Sequence, residues 1–196
     1  MDKTQQLRDA VRRAYSAAAE SPQDEHPFPV GRHFAESVGY PQDLLAGLPS
    51  FSIDAFSGCS NVSVFADIPV GVAVLDLGCG AGLDSLIAAR RTGARGKVIG
   101  VDFSDAMLAR AGQAAEQVGV KNVGFCEADA ENLPIGNGMI DVALVNGIFN
   151  LNPKRQAIFR ELARVVREGG TVYAAELILR GPLPPEIQQS EANWFA

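Results

Sequence analysis

The sequence predicts an α/β fold, a doubly wound and mainly parallel sheet with an N-terminal helical extension. Three observations carry that prediction. From Val72 onward, short β-branched runs alternate with helical stretches, the pattern of successive β-α-β units. The first of those runs opens directly into a glycine-rich turn, "LGCGAGL". Ahead of Val72 the chain reads differently, as one amphipathic helix followed by a proline-rich stretch. The expected division is residues 1–50 as a helical lid or flank, 51–181 as the core, and 182–196 as the start of a further C-terminal segment.

Taken in order, Leu7, Val11, Ala14, Tyr15 and Ala18 recur at helical spacing and predict a helix over about 3–19. "SPQDEHPFPVGR" holds three prolines, each with a fixed φ and no backbone donor, and reads as a loop. "YPQDLLAGLP" suits a short helix, and "SFSIDAFSGCSNVSVFADI" shows no clear period. Strands are expected at 72–78, 97–103, 123–128, 140–146 and 170–178. Helix 105–118 puts Met107, Leu108, Ala111, Ala114, Ala115 and Val118 on one face, with Ser104 or Asp105 as its N-cap. Helix 153–167 does the same with Ile158, Phe159, Leu162, Val165 and Val166, with Asn152 as N-cap, Pro153 at its first position, and Gly169 and Gly170 past its end. Parallel strands joined this way carry their C-terminal ends on one edge of the sheet, where ligands of such sheets bind.

Composition narrows the function. A chain of 196 residues, 47% hydrophobic, builds one core with a small appendage. Its 17 Lys plus Arg stand against 23 Asp plus Glu without a clustered basic face, so nucleic acid is not an expected partner. No apolar run reaches the roughly 18 residues that span a bilayer, and the N-terminus lacks an apolar signal core, so the expectation is a cytoplasmic protein without membrane contact. Cys59, Cys79 and Cys126 are odd in number and widely spaced, and His26 and His33 are the only histidines. That pattern suggests neither disulfides nor a zinc site, so no metal is expected and any thiol chemistry uses reduced cysteines.

The glycines of the turn, Gly78, Gly80 and Gly82, are spaced two apart, and Leu83 stands where a dinucleotide-binding turn needs its last glycine. Such a turn serves either a ligand or close helix packing. Asp76 lies inside the preceding strand, where a carboxylate needs backbone donors or a ligand cation. Asp102 ends the next strand, either accepting the hydroxyls of a ribose or capping the following helix. Asp129 ends the third, either as a turn residue or as acceptor of an exocyclic amine, with Ala130 offering its backbone amide. Three acids and no Walker lysine favour a nucleoside bearing positive charge over one bearing phosphates.

In order and at proper spacing, "VLDLGCGAGLDS", "GKVIGVDFSDAML", "CEADAENLP" and "IDVALVNGIFNLNPKRQAIFRELARVVREGGTVYAAEL" resemble the successive motifs of class I S-adenosylmethionine-dependent methyltransferases. The resemblance covers 72–178 and implies a Rossmann-like fold that binds S-adenosyl-L-methionine. It implies Gly78, Gly80 and Gly82 around the cofactor's amino acid part, with Asp76 nearby, and Asp102 at the ribose. It further implies Phe103 and Met107 among the cofactor contacts, Asp129 and Ala130 at the adenine, and Asn146 near the methyl donor.

A narrower resemblance, carried by "LAGLPSFSIDAFSGCSN", "NVGFCEADAENLP" and "NGIFNLNPKR", is to arsenite methyltransferases, in which three thiolates bind trivalent arsenic, a soft ion. Cys59 matches the first of them and is, with Asn146, the candidate catalytic residue; Gly147 occupies the second position, and the third falls beyond Ala196. Cys79 and Cys126 read as packing residues, and Tyr15, Tyr40, Phe56 and Phe149 as either acceptor-site walls or core. The expected activity is methyl transfer to a small nucleophilic acceptor. The alternatives are another small organic acceptor, a cofactor-binding module without turnover, or a nucleotide-dependent oxidoreductase that Leu83 disfavours.

The resemblance also implies a C-terminal helix and antiparallel hairpin after the fifth strand. "PPEIQQSEANWFA" is expected to begin that helix, so the chain reads as C-terminally truncated. An apolar edge strand left at 170–178 predicts a homodimer through that edge.

Overall fold

A computed structural model describes residues 3–181. Five strands form a single parallel sheet in the order β3-β2-β1-β4-β5. They are β1 (Ala73–Leu77), β2 (Lys97–Asp102), β3 (Val123–Glu127), β4 (Ile140–Asn146) and β5 (Val166–Ala175). Eight helices accompany them among the described residues: α1 (Lys3–Glu20), α2 (Arg32–Ser37), α3 (Gln42–Ala46), α4 (Ser50–Ile53), α5 (Val62–Phe65), α6 (Leu83–Thr92), α7 (Asp105–Val118) and α8 (Arg155–Val165). None is long and apolar enough to cross a membrane.

The period of two along each strand assigns the layers. Val74, Val98, Val142 and Leu144 pack with α5 and α6, while Leu75, Leu77, Ala143 and Val145 pack with Ile158, Leu162 and Val165 of α8. Both faces of the sheet are thereby covered, as a parallel sheet requires. Each fully buried Leu or Ile contributes about 1.5–3 kcal/mol, so the two layers are the main source of stability. The same parity aims Asp76 and Asn146 at the α6 side. The segment without a clear period folds as α4 and α5, and Tyr40, Leu45, Leu48, Ile53 and Phe56 join Leu83, Leu86 and Ile87 in one core cluster.

Several boundaries differ from the sequence expectation. Ser104 caps α7 by accepting a bond from the Met107 amide at 3.3 Å. Asn152 does not cap α8, which starts at Arg155. Its Oδ1 accepts from the Lys154 amide at 2.8 Å, making a turn one step earlier, while its Nδ2 donates to Glu131. Nor do Gly169 and Gly170 follow a helix end. β5 begins at Val166, pairs Val166 with Ile140, and resumes only when Thr171 pairs Val142, so both glycines lie in a bulge. Gly169 has φ 74°, which favours glycine. β5 ends at Ala175, and Leu177, Ile178 and Leu179 run on exposed. The helix expected from Pro184 onward lies outside the described residues.

Candidate functional site

The ends of β1, β2 and β4 and the loop after β3 surround a cavity of about 260 Å³, roofed by Arg8, Val11, Arg12 and Tyr15 of α1. Its floor is the turn between β1 and α6. Gly78, Gly80 and Gly82 adopt φ of 76°, 51° and 83°, a region that side chains avoid. Gly78 and Gly80 line the cavity. A Cβ on Gly78 would collide with the Ile148 methyl, while at Gly80 the nearest heavy atom is Met107 Sδ at 3.9 Å, so glycine there keeps space open. Gly82 caps α6 away from the cavity, where a Cβ would stand 2.9 Å from that of Ala111 and 3.2 Å from the Phe125 ring. Gly82 is thus absent from the cavity wall, and Ala111 of α7 and Phe125 of β3 leave no room there for a side chain.

The three acids differ. Asp102, buried, accepts the Gly80 amide on one oxygen and the Ser104 amide on the other, both at 2.9 Å. Burial raises its pKa, while those amides oppose the rise. Asp102 is thus no side-chain cap for α7, Ser104 being the cap, and its oxygens are held rigidly at the cavity wall. Asp76 is 2% exposed and accepts from Ser85 Oγ at 2.6 Å. Desolvation first, then the nearby Asp84 charge, push it up to about 8. Asp129 is exposed and ion-paired with Arg8, which also reaches Glu131 at 3.0 Å. Phe103 and Ala130 line the cavity, and Arg12 stands 5.6 Å over the Phe103 ring. Met107, 1% exposed, packs under Ala18 and Ala81.

At the β4 end, Asn146 reaches the loop before α5. Its Oδ1 accepts from the amides of Cys59 at 2.8 Å and Ser60 at 3.1 Å. Its Nδ2 donates to Ser60 O at 2.7 Å and to Asp84 Oδ2 at 2.9 Å. Cys59 is half-buried, and burial, with the charge of Glu176 second, raises its thiol to about 11. A Cβ on Gly147 would stand 2.7 Å from Cys59 Sγ, so the two positions face each other. Cys79 is buried under the turn and Cys126 is half-buried on β3 rather than enclosed. Among the described residues no cluster of three His, Cys, Asp or Glu could hold a metal. Tyr15 and Phe56 line the cavity. Tyr40 and Phe149 belong to the core, against Phe56 and stacked on Phe159 at 4.6 Å respectively.

Sequence reasoning missed Asp84, Ser85 and Arg8. Asp84 and Ser85 stand in the first turn of α6, just ahead of its apolar run Leu86–Ala89, a signal that polar groups on a buried face have partners. Arg8 carried no such signal, because its acids lie more than 120 residues away.

Residues 68–195 match a family model described as "Methyltransferase domain". The arsenite methyltransferase of Halobacterium salinarum is 34% identical over 154 residues, 79% of this chain and 39% of that protein. The demethylmenaquinone methyltransferase of Lactococcus lactis subsp. lactis is 34% identical over 140 residues, covering 71% and 55% respectively. Among solved structures, an arsenic(III) S-adenosylmethionine methyltransferase from Chlamydomonas reinhardtii superposes with a TM-score of 0.63 at 25% identity, over 84% of this chain and 56% of that one. The chain therefore spans about two fifths of the length of the first of these relatives and little over half of the other two.

Proposed function

The chain belongs to the methyltransferase domain family, with S-adenosyl-L-methionine as its cofactor, and from that premise we propose that it methylates a small nucleophilic acceptor, trivalent arsenic being the first to test. The observation that carries the reading is the wall of the cavity, where Asp102, pinned by two amides, stands between Asp76 and Asp129.

The donor set suits this cofactor. A diol donates two O–H groups, and the oxygens of Asp102 are fixed to accept them. Asp76 lies beside the glycine turn and, pushed up to about 8, is protonated near pH 7 in the free protein. An α-ammonium or sulfonium placed beside it favours the ionised carboxylate, so binding releases that proton to solvent, and Gly80 leaves the room such a group occupies. When bound, S-adenosyl-L-methionine supplies an electrophilic methyl group on sulfur, so the protein needs no acid or base of its own for an already nucleophilic acceptor. Its residues position and exclude water. Tyr15, Val11 and Met107 enclose the chamber, and positioning lowers the barrier by removing rotational freedom in advance.

For the acceptor, Cys59, which follows the cavity-lining Gly58 and faces the cavity-lining Gly147 without itself being in the wall, supports a thiophilic ion, in line with the relatives named arsenite methyltransferases. Its raised pKa keeps it a neutral thiol at pH 7, so binding a soft ion displaces its proton. With glycine at 147, exogenous thiols complete the ligand set. A second reading, a small organic acceptor, is favoured by the apolar side chains Phe56, Ile148, Leu151 and Ile158 in the cavity wall and by the relative named demethylmenaquinone methyltransferase.

The test is release of S-adenosylhomocysteine by the 196-residue chain with arsenite and a small thiol, against Cys59→Ser. Product that depends on Cys59 is expected. Turnover only with an organic acceptor selects the second reading, and cofactor binding without product from any acceptor leaves a binding module.

A further inference from the structure

We infer that Asp84 and Tyr40 are positioning residues that act through Asn146 to hold the Cys59–Ser60 turn against the end of β4. The proposal rests on the reading above only in taking Cys59 as the acceptor's contact.

Four groups form one chain of hydrogen bonds, buried at Tyr40, Ser63 and Asp84 and half-buried at Asn146. Tyr40 donates its hydroxyl to Asp84 Oδ1 at 2.5 Å, and Ser63 adds its amide, at 3.2 Å, and its hydroxyl to the same oxygen. That leaves Asp84 Oδ2 facing Asn146 Nδ2 at 2.9 Å. A carboxylate here can only accept, so it orients the amide of Asn146 without ambiguity: nitrogen toward Asp84, oxygen toward the turn. The oxygen then receives two successive amides, Cys59 and Ser60. Gly58 makes the approach possible, since a Cβ there would stand 2.5 Å from Asn146 Nδ2. Asp84 and Tyr40 are 6% and 2% exposed and Ser63 is fully buried, so water does not replace the donors to Asp84 Oδ1. Asn146, expected near the methyl donor, commits both ends of its amide to the protein itself, which makes it a clamp rather than a reacting group.

The geometry supplies its own test, a reciprocal swap. In Asp84→Asn two NH2 groups face each other, and in Asn146→Asp two carboxyl groups do. Together the pair restores one N–H···O bond with reversed polarity, while the side-chain carbonyl oxygen introduced by Asp84→Asn still accepts from Tyr40 and Ser63. Alkylation of Cys59 by iodoacetamide is followed peptide by peptide, with no cofactor or acceptor present, so its outcome is independent of whether the methyl acceptor has been identified. Each single substitution is expected to speed Cys59 modification by about tenfold, the worth of one buried hydrogen bond, and the double swap to bring it back part of the way. The 84–146 bond is restored, while the Ser60 carbonyl, which accepts from Asn146 Nδ2 at 2.7 Å, loses its donor in Asn146→Asp. Cys126, on β3, keeps its rate throughout, which separates release of the turn from general loosening. Singles that leave Cys59 unchanged, a double swap that merely sums them, or equal acceleration of Cys126 would overturn the proposal. Should the variants not fold, hydrogen exchange in the unmodified protein decides: the Cys59 and Ser60 amides, bonded to Asn146, are expected to exchange at least about tenfold slower than in an unstructured peptide, and unprotected exchange refutes the clamp.

Discussion

Asp102 and Asp76 sit one strand apart at the same sheet edge, yet their chemistry is set by different neighbours. The two amides on Asp102 keep its carboxylate fixed, so Asp102→Ala removes a preorganised diol acceptor. Calorimetry should show S-adenosyl-L-methionine binding weakened by at least about tenfold, and unchanged affinity would remove the ribose assignment. Asp76 gives a prediction about pH. Its pKa rises from 3.8 to about 8 on folding, because burial disfavours the charged form. Between those values the folded protein holds a proton that the unfolded chain has released, so this contribution to stability is complete below pH 3.8 and is lost as pH rises through about 8. The cofactor-free protein should melt at a higher temperature at about pH 5 than at about pH 8. Asp76→Asn should narrow that gap, and an undiminished gap would assign the dependence elsewhere.

Among the elements, α1 decides access. It is tied across the cavity by Arg8 to Asp129 and Glu131, by Arg12 to Glu127 at 3.7 Å, and by Ser16 to Ser104 at 2.8 Å. At its other end Arg110 donates to Ala19 O at 2.9 Å, satisfying a terminal carbonyl of the helix. The apolar anchor, Ala18 and Ala19 with Phe28 and Met107, lies at the same end, so the Arg8 end is the one free to lift. Partly exposed ion pairs are weak and screened by salt. Arg8→Ala, and high salt for the unmodified protein, should therefore raise the rate of cofactor release several-fold in stopped-flow displacement; a rate indifferent to both would mean that α1 does not gate the site.

For the molecule as a whole, β5 has no partner on its outer side among the described residues; Val172 is exposed on it and Leu177, Ile178 and Leu179 just past its end. A parallel sheet with an open apolar edge invites a further strand. Sedimentation of the 196-residue chain should show concentration-dependent association, which a charged substitution such as Val172→Lys reduces; a monomer at every concentration would contradict it. Much of this architecture was legible in the sequence. Period-two runs and glycine turns announced four of the strands to within a residue or so, and the apolar stripes announced α1 and α7, because burial on a repeating element leaves a repeating signal. The bulge in β5 was not legible, since Gly169 and Gly170 read equally as a helix end. The site divides the same way. Asp76, Gly78, Gly80, Asp102 and Asn146 were visible as motif residues at strand ends, where sequence position alone fixes the edge of the sheet. Side-chain contacts emerged only from the folded chain: Gly82 stands against Ala111 and Phe125, Asn146 holds the Cys59 turn, Asp84 orients Asn146, and Arg8 covers Asp129. The last two pairs lie 62 and 121 residues apart, and no local periodicity encodes a pairing that exists only once the chain has closed on itself.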